Sequence, residues 1–154
     1  DNASTRILTL REESAKSAAQ DRFIPARRLE DAAAELARQR AEALYQLGLL
    51  AVAEKEASKA RSHFENAITA NPRHPGVHHQ LAIIQHADGD HETAIESFRK
   101  SVEIEILNPD AHFLLAELLH TNGDEEMARN HYLITLDLEP NHSKAKIRLD
   151  SMAG

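Results

Sequence analysis

The sequence contains no cysteine and no tryptophan, and only 4% of its 154 residues are aromatic. Without cysteine the chain cannot form disulfides, thiolate-ligated zinc sites or a cysteine nucleophile. With so few aromatic residues, a core must be built mainly from Ala, Leu and Ile. Five Gly and five Pro are also few for this length, which favours helices joined by short connections over a strand-rich fold.

Basic residues are scarce as well: 18 Lys and Arg stand against 25 Asp and Glu, and the net charge is −7. This balance argues against a general nucleic-acid binder, which needs a basic surface. The deficit lies in residues 41–154, which carry 10 Lys and Arg against 18 Asp and Glu; residues 1–40 carry 8 against 7. No apolar run reaches the length of a membrane span. Composition does not distinguish a cytoplasmic from an exported protein, and because the first residue is Asp1 rather than Met, we expect that upstream residues were removed.

What the sequence does contain is an internal repeat, visible as columns of similar residues at equal spacing. Leu47, Leu81 and Leu115 are separated by one constant interval, and each precedes a small residue. The same interval relates four further columns: Ala60, Ala94 and Ala128; Phe64, Phe98 and Tyr132; Ala67, Ser101 and Thr135; and Ile68, Val102 and Leu136. Self-similarity at this 34-residue period indicates stacked units, none of which can bury its apolar face alone.

Each copy of the repeat is predicted to be a pair of helices, because its apolar residues recur at helical spacing. Between the two helices of the later copies stand the turns "DGDH" (88–91) and "NGDE" (122–125). Their glycines suit the left-handed residue that ends a helix, and the Asp that follows each glycine suits the N-cap of the next helix.

Proline is predicted to end the second helix of each copy. Pro109 falls three residues later than Pro72 and Pro140 would require. We therefore expect about one extra helical turn, residues 103–107, in the second copy, offset by a shorter link into the third.

These residues resemble the motif of the tetratricopeptide repeat family, which places Leu-Gly, then A-x3-F, then Pro in each 34-residue unit. The resemblance covers residues 41–142 and implies an all-α fold, an α-solenoid of three helix-turn-helix repeats. The predicted organisation is an N-terminal helical extension (1–40), three repeats (41–74, 75–108 and 109–142) and a C-terminal capping helix (143–154).

The resemblance also implies that the first helix of each pair lines the inner surface of the superhelix. The residues predicted to point there, here called the groove face, form three rows: Tyr45, His79 and Phe113; Leu49, Ile83 and Glu117; and Val52, His86 and His120. Apolar and aromatic side chains with a few polar ones suit a peptide or helix of another protein. We therefore predict a non-catalytic adaptor that binds a protein or peptide ligand and needs no cofactor.

Several alternatives remain open at this point. The chain could self-associate through its N-terminal helix or through Ile104, Ile106 and Leu107, its N-terminal segment could occupy the groove, or it could be a binding domain cut from a larger protein. The family members that clamp chaperone C-terminal carboxylates use Lys, Arg and Asn at groove positions. The matching positions here hold Tyr45, Leu49, Gln80, Asp110 and Leu114. That ligand class is therefore not expected, and no catalytic sequence motif is present.

Five of the ten histidines lie in residues 74–91. The one metal geometry worth considering joins His86, Glu117 and His120 across adjacent repeats, but no local ligand pair supports it. We expect these histidines to hydrogen-bond a ligand instead, which would make binding depend on pH. His74 is expected to be exposed in the link between repeats, and His78 to pack between helices.

Overall fold

The computed structural model describes residues 2–74 and 76–153, and within them the chain forms seven α-helices and no strand. The helices are α1 (Asn2–Ala53), α2 (Ala57–Ala70), α3 (Val77–Ala87), α4 (His91–Ile104), α5 (Pro109–Thr121), α6 (Glu125–Leu138) and α7 (Ser143–Ser151). The all-α repeat fold expected from the sequence is confirmed. The chain divides into two compact units, Asp1–Gln39 and Arg40–Gly154.

The first unit consists of the N-terminal part of α1. Its described side chains are largely exposed, including Leu29 and Leu36. Arg38 donates two hydrogen bonds to Oε2 of Glu35 one turn earlier, at 3.0 and 2.8 Å. Because polar and apolar side chains alike are exposed, little else in its own unit covers this part of α1.

The second unit is a stack of helix pairs with the repeat columns at its centre. Three of the four columns predicted for the second helices are buried on α2, α4 and α6, and Phe64, Phe98 and Tyr132 are among the most deeply buried side chains. The fourth column, Ile68, Val102 and Leu136, is half-buried. Gly48 explains the Leu-Gly pair of the first copy. A Cβ atom at that position would lie 2.3 Å from Cε1 of Phe64, so only glycine lets α1 and α2 approach this closely.

The C-terminal helix α7 continues the columns of the first helices for a fourth time. Leu149 stands one repeat period after Leu115, and Met152 stands one period after Leu118. Together with buried Ala145, both pack against the core of the third repeat. The capping helix therefore has the register of the first helix of a further repeat.

The turns within the repeats have the predicted geometry. Gly89 and Gly123 adopt φ of 86° and 88°, in the left-handed region. Asp90 and Asp124 stand at the N-caps of α4 and α6, as expected, but neither side chain makes a capping hydrogen bond.

The extra turn expected in residues 103–107 is wrong. Helix α4 ends at Ile104 and has 14 residues, like α2 and α6. Asn108 is the N-cap of α5 and Pro109 its first residue, where the missing N–H of proline costs no hydrogen bond. By the repeat interval Pro109 corresponds to Pro75 rather than to Pro72, so it begins a helix instead of ending one.

Candidate functional site

Each member of the first groove row packs against an aromatic ring on the second helix of its own repeat. The ring centroids are 5.9 Å apart for Tyr45 and Phe64, 5.5 Å for His79 and Phe98, and 5.9 Å for Phe113 and Tyr132. Tyr45 and Phe113 are further covered by His74 at 4.9 Å and His142 at 4.7 Å. These half-buried rings hold the helix pairs together and present only part of their surface to a ligand.

His74 is buried, contrary to the expectation that it would be exposed. Its ring packs on Tyr45, and its Nε2 lies 3.0 Å from Oε2 of Glu42. The hydrogen bonds from Gln46 and His74 lower the pKa of Glu42. The link between the first two repeats is therefore tied down by a polar contact that its Pro- and Gly-rich sequence did not indicate.

His78 and His112, which occupy equivalent positions in the second and third repeats, have structural roles. Nε2 of His78 lies 2.9 Å from the carbonyl oxygen of Pro72, and Nε2 of His112 lies 3.0 Å from that of Ile106. In both cases the imidazole N–H donates to the turn that enters its repeat. Both rings are buried, so they are unsuited to contact a ligand, as the packing role expected for His78 implies.

A cavity of about 200 Å³ lies between α3, α4 and α5 and contains three of the predicted groove residues. Its lining consists of Ile83, His86, Phe98, Leu114, Glu117, Leu118 and Thr121. Leucine, isoleucine and phenylalanine form its walls, and the polar groups come from His86, Glu117 and Thr121. Leu49 is the equivalent of Ile83 in the first repeat. It is half-buried and packs against the core that α1, α2 and α3 share.

Glu117 is the most strongly hydrogen-bonded residue of this cavity. Arg148 on α7 donates from Nε and Nη2 to its two carboxylate oxygens, at 2.7 Å each, and the Tyr132 hydroxyl donates to Oε1. Burial raises the pKa of Glu117, but the hydrogen bonds from Arg148 and Tyr132 outweigh burial, and the pKa lies below its usual value. Burial and the bond to Glu117 raise the pKa of Tyr132. One wall of the cavity is thus a fixed ion pair between the third repeat and α7.

The members of the third groove row differ in their exposure. Val52 and His86 are exposed, while His120 is half-buried. Nδ1 of His86 lies 3.2 Å from Nδ1 of His91, so one of these rings donates and the other accepts. The row therefore presents one apolar and two imidazole groups rather than a continuous surface.

Two groove histidines carry buried ring nitrogens that lack a partner among the described residues. These atoms are Nδ1 of His79 and Nδ1 of His120. Burial lowers the pKa of His79, although the carboxylates of Asp110 and Glu105 oppose that shift. Because both nitrogens are buried, a ligand on the groove face does not reach them in this arrangement of side chains.

His86, Glu117 and His120, the residues considered for a metal site, do not form one in the structure. Within residues 2–74 and 76–153, the structure contains no group of three or more His, Asp or Glu side chains that could hold an ion. Glu117 is bonded to Arg148, and His86 is bonded to His91.

Within residues 2–74 and 76–153, no helix has the length and apolarity required to span a bilayer.

Sequence reasoning missed several residues that shape the site. Phe98, Leu114 and Leu118 line the cavity, yet only their role in the repeat core or register could be anticipated. Arg148 reaches Glu117 from α7, beyond the three predicted repeats, and His142, the last residue of the third predicted repeat, reaches Phe113 from the N-cap of α7. The repeat interval offered a signal for Arg148. By that interval Arg148 is the equivalent of Leu114, and its neighbour Ile147 is the equivalent of the groove residue Phe113.

Solved structures with this arrangement of helices include proteins of diverse roles. MamA superposes with a TM-score of 0.64 at 16% identity over 68% of this chain, which spans 61% of the MamA chain. The first repeat domain of Spaghetti (RPAP3), bound to an HSP90 peptide, gives 0.69 at 19% identity, covering 75% of this chain and 92% of that one. The Yersinia enterocolitica secretion chaperone SycD, in complex with a peptide of YopD, gives 0.62 at 22%, covering 72% and 87%. No curated protein sequence is significantly similar to the chain.

The stacked helix pairs and these superpositions define the class of protein as an α-helical repeat. Models of the tetratricopeptide repeat match residues 41–74 and 63–96. Residues 41–96 are therefore tetratricopeptide repeats, as the sequence motif predicted. Proteins of this family are generally non-catalytic interaction modules, and the fold supports a role in protein–protein interaction here.

Proposed function

We propose that the repeat unit is a non-catalytic module that holds a peptide or helix of another protein against the groove face. The cavity between α3, α4 and α5 carries this proposal. Its volume of about 200 Å³ is below the range of roughly 300–1,000 Å³ typical of small-molecule sites. It therefore suits one apolar side chain of a longer ligand better than a complete substrate.

The polar groups around the cavity favour a ligand that is not strongly acidic. Residues 41–154 carry a net charge of −8, and the basic side chain that is bonded to the cavity wall, Arg148, is already engaged by Glu117. We therefore propose a neutral or basic segment with an apolar anchor, and not a chaperone C-terminal carboxylate.

Affinity capture from the source cells tests this proposal. Ile83→Glu places a charge at the cavity wall, and Ile134→Glu on α6 makes the same change at a similarly exposed isoleucine outside the groove face. We expect a partner retained by the wild type and by Ile134→Glu, and bound at least tenfold more weakly by Ile83→Glu in a titration of the purified pair. Circular dichroism checks that both variants fold. Identical retention by all three proteins would reject the groove face as the binding surface.

Self-association is the second candidate, and the loop between α4 and α5 favours it. Ile106 and Leu107 are 65% and 79% exposed there, beside a depression of about 620 Å³ lined by residues 104–109. Exposed apolar side chains grouped in this way are typical of contact surfaces. A mass that rises with concentration in light scattering, and that Ile106→Glu returns to that of a monomer, would support this function. A constant monomer mass would exclude it.

A further inference from the structure

The third repeat contains a pair of stacked histidine rings that the other two repeats lack. Nδ1 of His112 on α5 lies 3.0 Å from Nδ1 of His131 on α6, and the ring centroids are 5.2 Å apart. By the repeat interval, the equivalent pairs in the second and first repeats are His78 with Ser97 and Leu44 with His63. The third repeat is therefore the one that brings two imidazoles together at this position.

The protons of the neutral pair are fixed by its hydrogen bonds. Nε2 of His112 lies 3.0 Å from the carbonyl oxygen of Ile106, which can only accept, so this nitrogen carries a proton. Nδ1 of a neutral His112 is then an acceptor, and the bond between the two rings requires a proton on Nδ1 of His131. Nε2 of His131 is left as the nitrogen that takes up the first additional proton.

A second additional proton is incompatible with this arrangement. It would have to bind Nδ1 of His112, which would place two N–H donors 3.0 Å apart with no acceptor between them. It would also place positive charge on both stacked rings, of which His112 is buried and His131 half-buried. In an unfolded chain both imidazoles take up a proton near a pH of about 6.5. Below that pH the folded pair therefore holds fewer protons than the unfolded chain.

The surroundings of His131 oppose the first additional proton as well. Burial is the main reason that the pKa of His131 is lowered, and the positive charges of His112 and Arg99 add to this effect. Within the described part of the chain, these two groups, on α5 and α4, are the ones that act on the charge of His131. Helix α7, which also packs on α6, adds none, and no carboxylate among the described residues offsets the charge.

We propose that the His112–His131 pair is a pH-sensitive switch that holds α5 against α6 at neutral pH and releases the start of the third repeat in mild acid. His131 is the half-buried ring, so it is the one that turns outward when both imidazoles are protonated. Since His112 also bonds the Ile106 carbonyl, this step breaks the link between α6 and the loop that enters the repeat. The switch is a property of the fold and does not depend on the function proposed above.

Acid should weaken the third repeat through this pair. A state that binds more protons is favoured as the pH falls, and here that state is the unfolded chain. The pair therefore leaves the free energy of unfolding unchanged above a pH of about 6.5 and lowers it below that pH. At pH 5.5, one missing proton raises the equilibrium constant of unfolding by about tenfold.

Urea denaturation of the full chain at pH 7.5 and 5.5 tests this proposal with two matched variants. His131→Ser gives the third repeat the residue that the second repeat has at this position. His63→Ser makes the same change in the first repeat, where a leucine stands opposite the histidine. Between the two pH values, the unfolding constant should rise at least fivefold more in the wild type than in His131→Ser. His63→Ser should keep the pH dependence of the wild type.

Nitrogen NMR of the imidazoles adds a measurement that needs no variant. At pH 7.5 the spectrum should show the proton of His112 on Nε2 and that of His131 on Nδ1. At pH 5.5 the folded protein should contain fewer than two imidazolium rings at these positions. Three results would overturn the proposal: equal pH dependence of the wild type and His131→Ser, the opposite tautomers at pH 7.5, or two imidazolium rings at pH 5.5 in a folded protein whose spectrum is otherwise unchanged.

Discussion

At Gly48 the packing of α1 against α2 leaves no space for a side chain. Two other ring carbons of Phe64 would lie 2.6 and 2.8 Å from a Cβ at this position, and the ring is fully buried. Alanine is favoured over glycine within a helix by about 1 kcal/mol, whereas overpacking costs about 1–3 kcal/mol. Since the buried ring cannot simply turn aside, the packing cost should exceed the helix gain.

We expect Gly48→Ala to lower the free energy of unfolding by about 1–2 kcal/mol, measured by urea denaturation. Phe64→Leu removes the ring atoms that the new methyl group would meet. The double variant should therefore be less destabilised than the sum of the two single variants. Simple additivity would show that the methyl group is accommodated elsewhere.

Glu117 should make the free energy of unfolding depend on pH. Burial raises its pKa in the folded state, but the bonds from Arg148 and Tyr132 outweigh burial and leave the pKa lowered. A lowered carboxyl pKa stabilises the fold above the unfolded pKa and loses that contribution as the pH falls through the folded pKa.

We therefore expect Glu117→Gln to cost about 1 kcal/mol at pH 7, a value reduced for the partial exposure of the ion pair. The difference in unfolding free energy between wild type and variant should shrink below about pH 4.5, as the wild-type carboxyl becomes protonated. Denaturation curves at pH 7, 5, 4 and 3 measure this. A difference independent of pH would show that the carboxylate charge contributes nothing.

At the scale of helices, the repeat columns predicted which segments pair and which side chains are buried. They succeeded because core packing acts at short range and recurs in every repeat. The prediction failed at residues 103–107, where one proline was aligned with Pro72 although its spacing matched Pro75. The bond from His74 to Glu42 could not be predicted, because it depends on the positions of side chains far apart in the chain. For Arg148 the repeat register indicates the position of the residue in the stack, but not its bond to Glu117.

The corrected start of α5 leads to a test of helix capping. The Asn108 side chain accepts a hydrogen bond from the backbone N–H of Ala111 at 3.0 Å, whereas Asp124 makes no such bond to α6. Asn108→Ala should therefore lower the unfolding free energy by about 1 kcal/mol. Asp124→Ala should cost less, and chemical denaturation of the two variants compares them. An equal cost would mean that the Asn108 bond is not what stabilises the start of α5.

The repeat unit behaves as a linear array: helices α2 to α7 each contact their neighbours in sequence, and α1 contacts α2 through Tyr45 and Phe64. Four leucines, Leu47, Leu81, Leu115 and Leu149, occupy the same register on α1, α3, α5 and α7. The inner two are buried, Leu149 is half-buried, and Leu47 is largely exposed. The same substitution at the four positions therefore measures how well each of these leucines is covered by neighbouring helices.

We expect Leu81→Ala and Leu115→Ala to cost about 2–5 kcal/mol each, as buried leucines do. Leu149→Ala should cost less, because part of its side chain is in contact with solvent in the folded protein, and Leu47→Ala should cost under about 1 kcal/mol. Unfolding free energies from denaturation of the four variants give the order. If Leu47→Ala were as costly as Leu81→Ala, the face of α1 that carries Leu47 would be covered in the free protein. A small cost would instead agree with the exposure of Leu47 in the structure, where the equivalent leucines of α3 and α5 are buried.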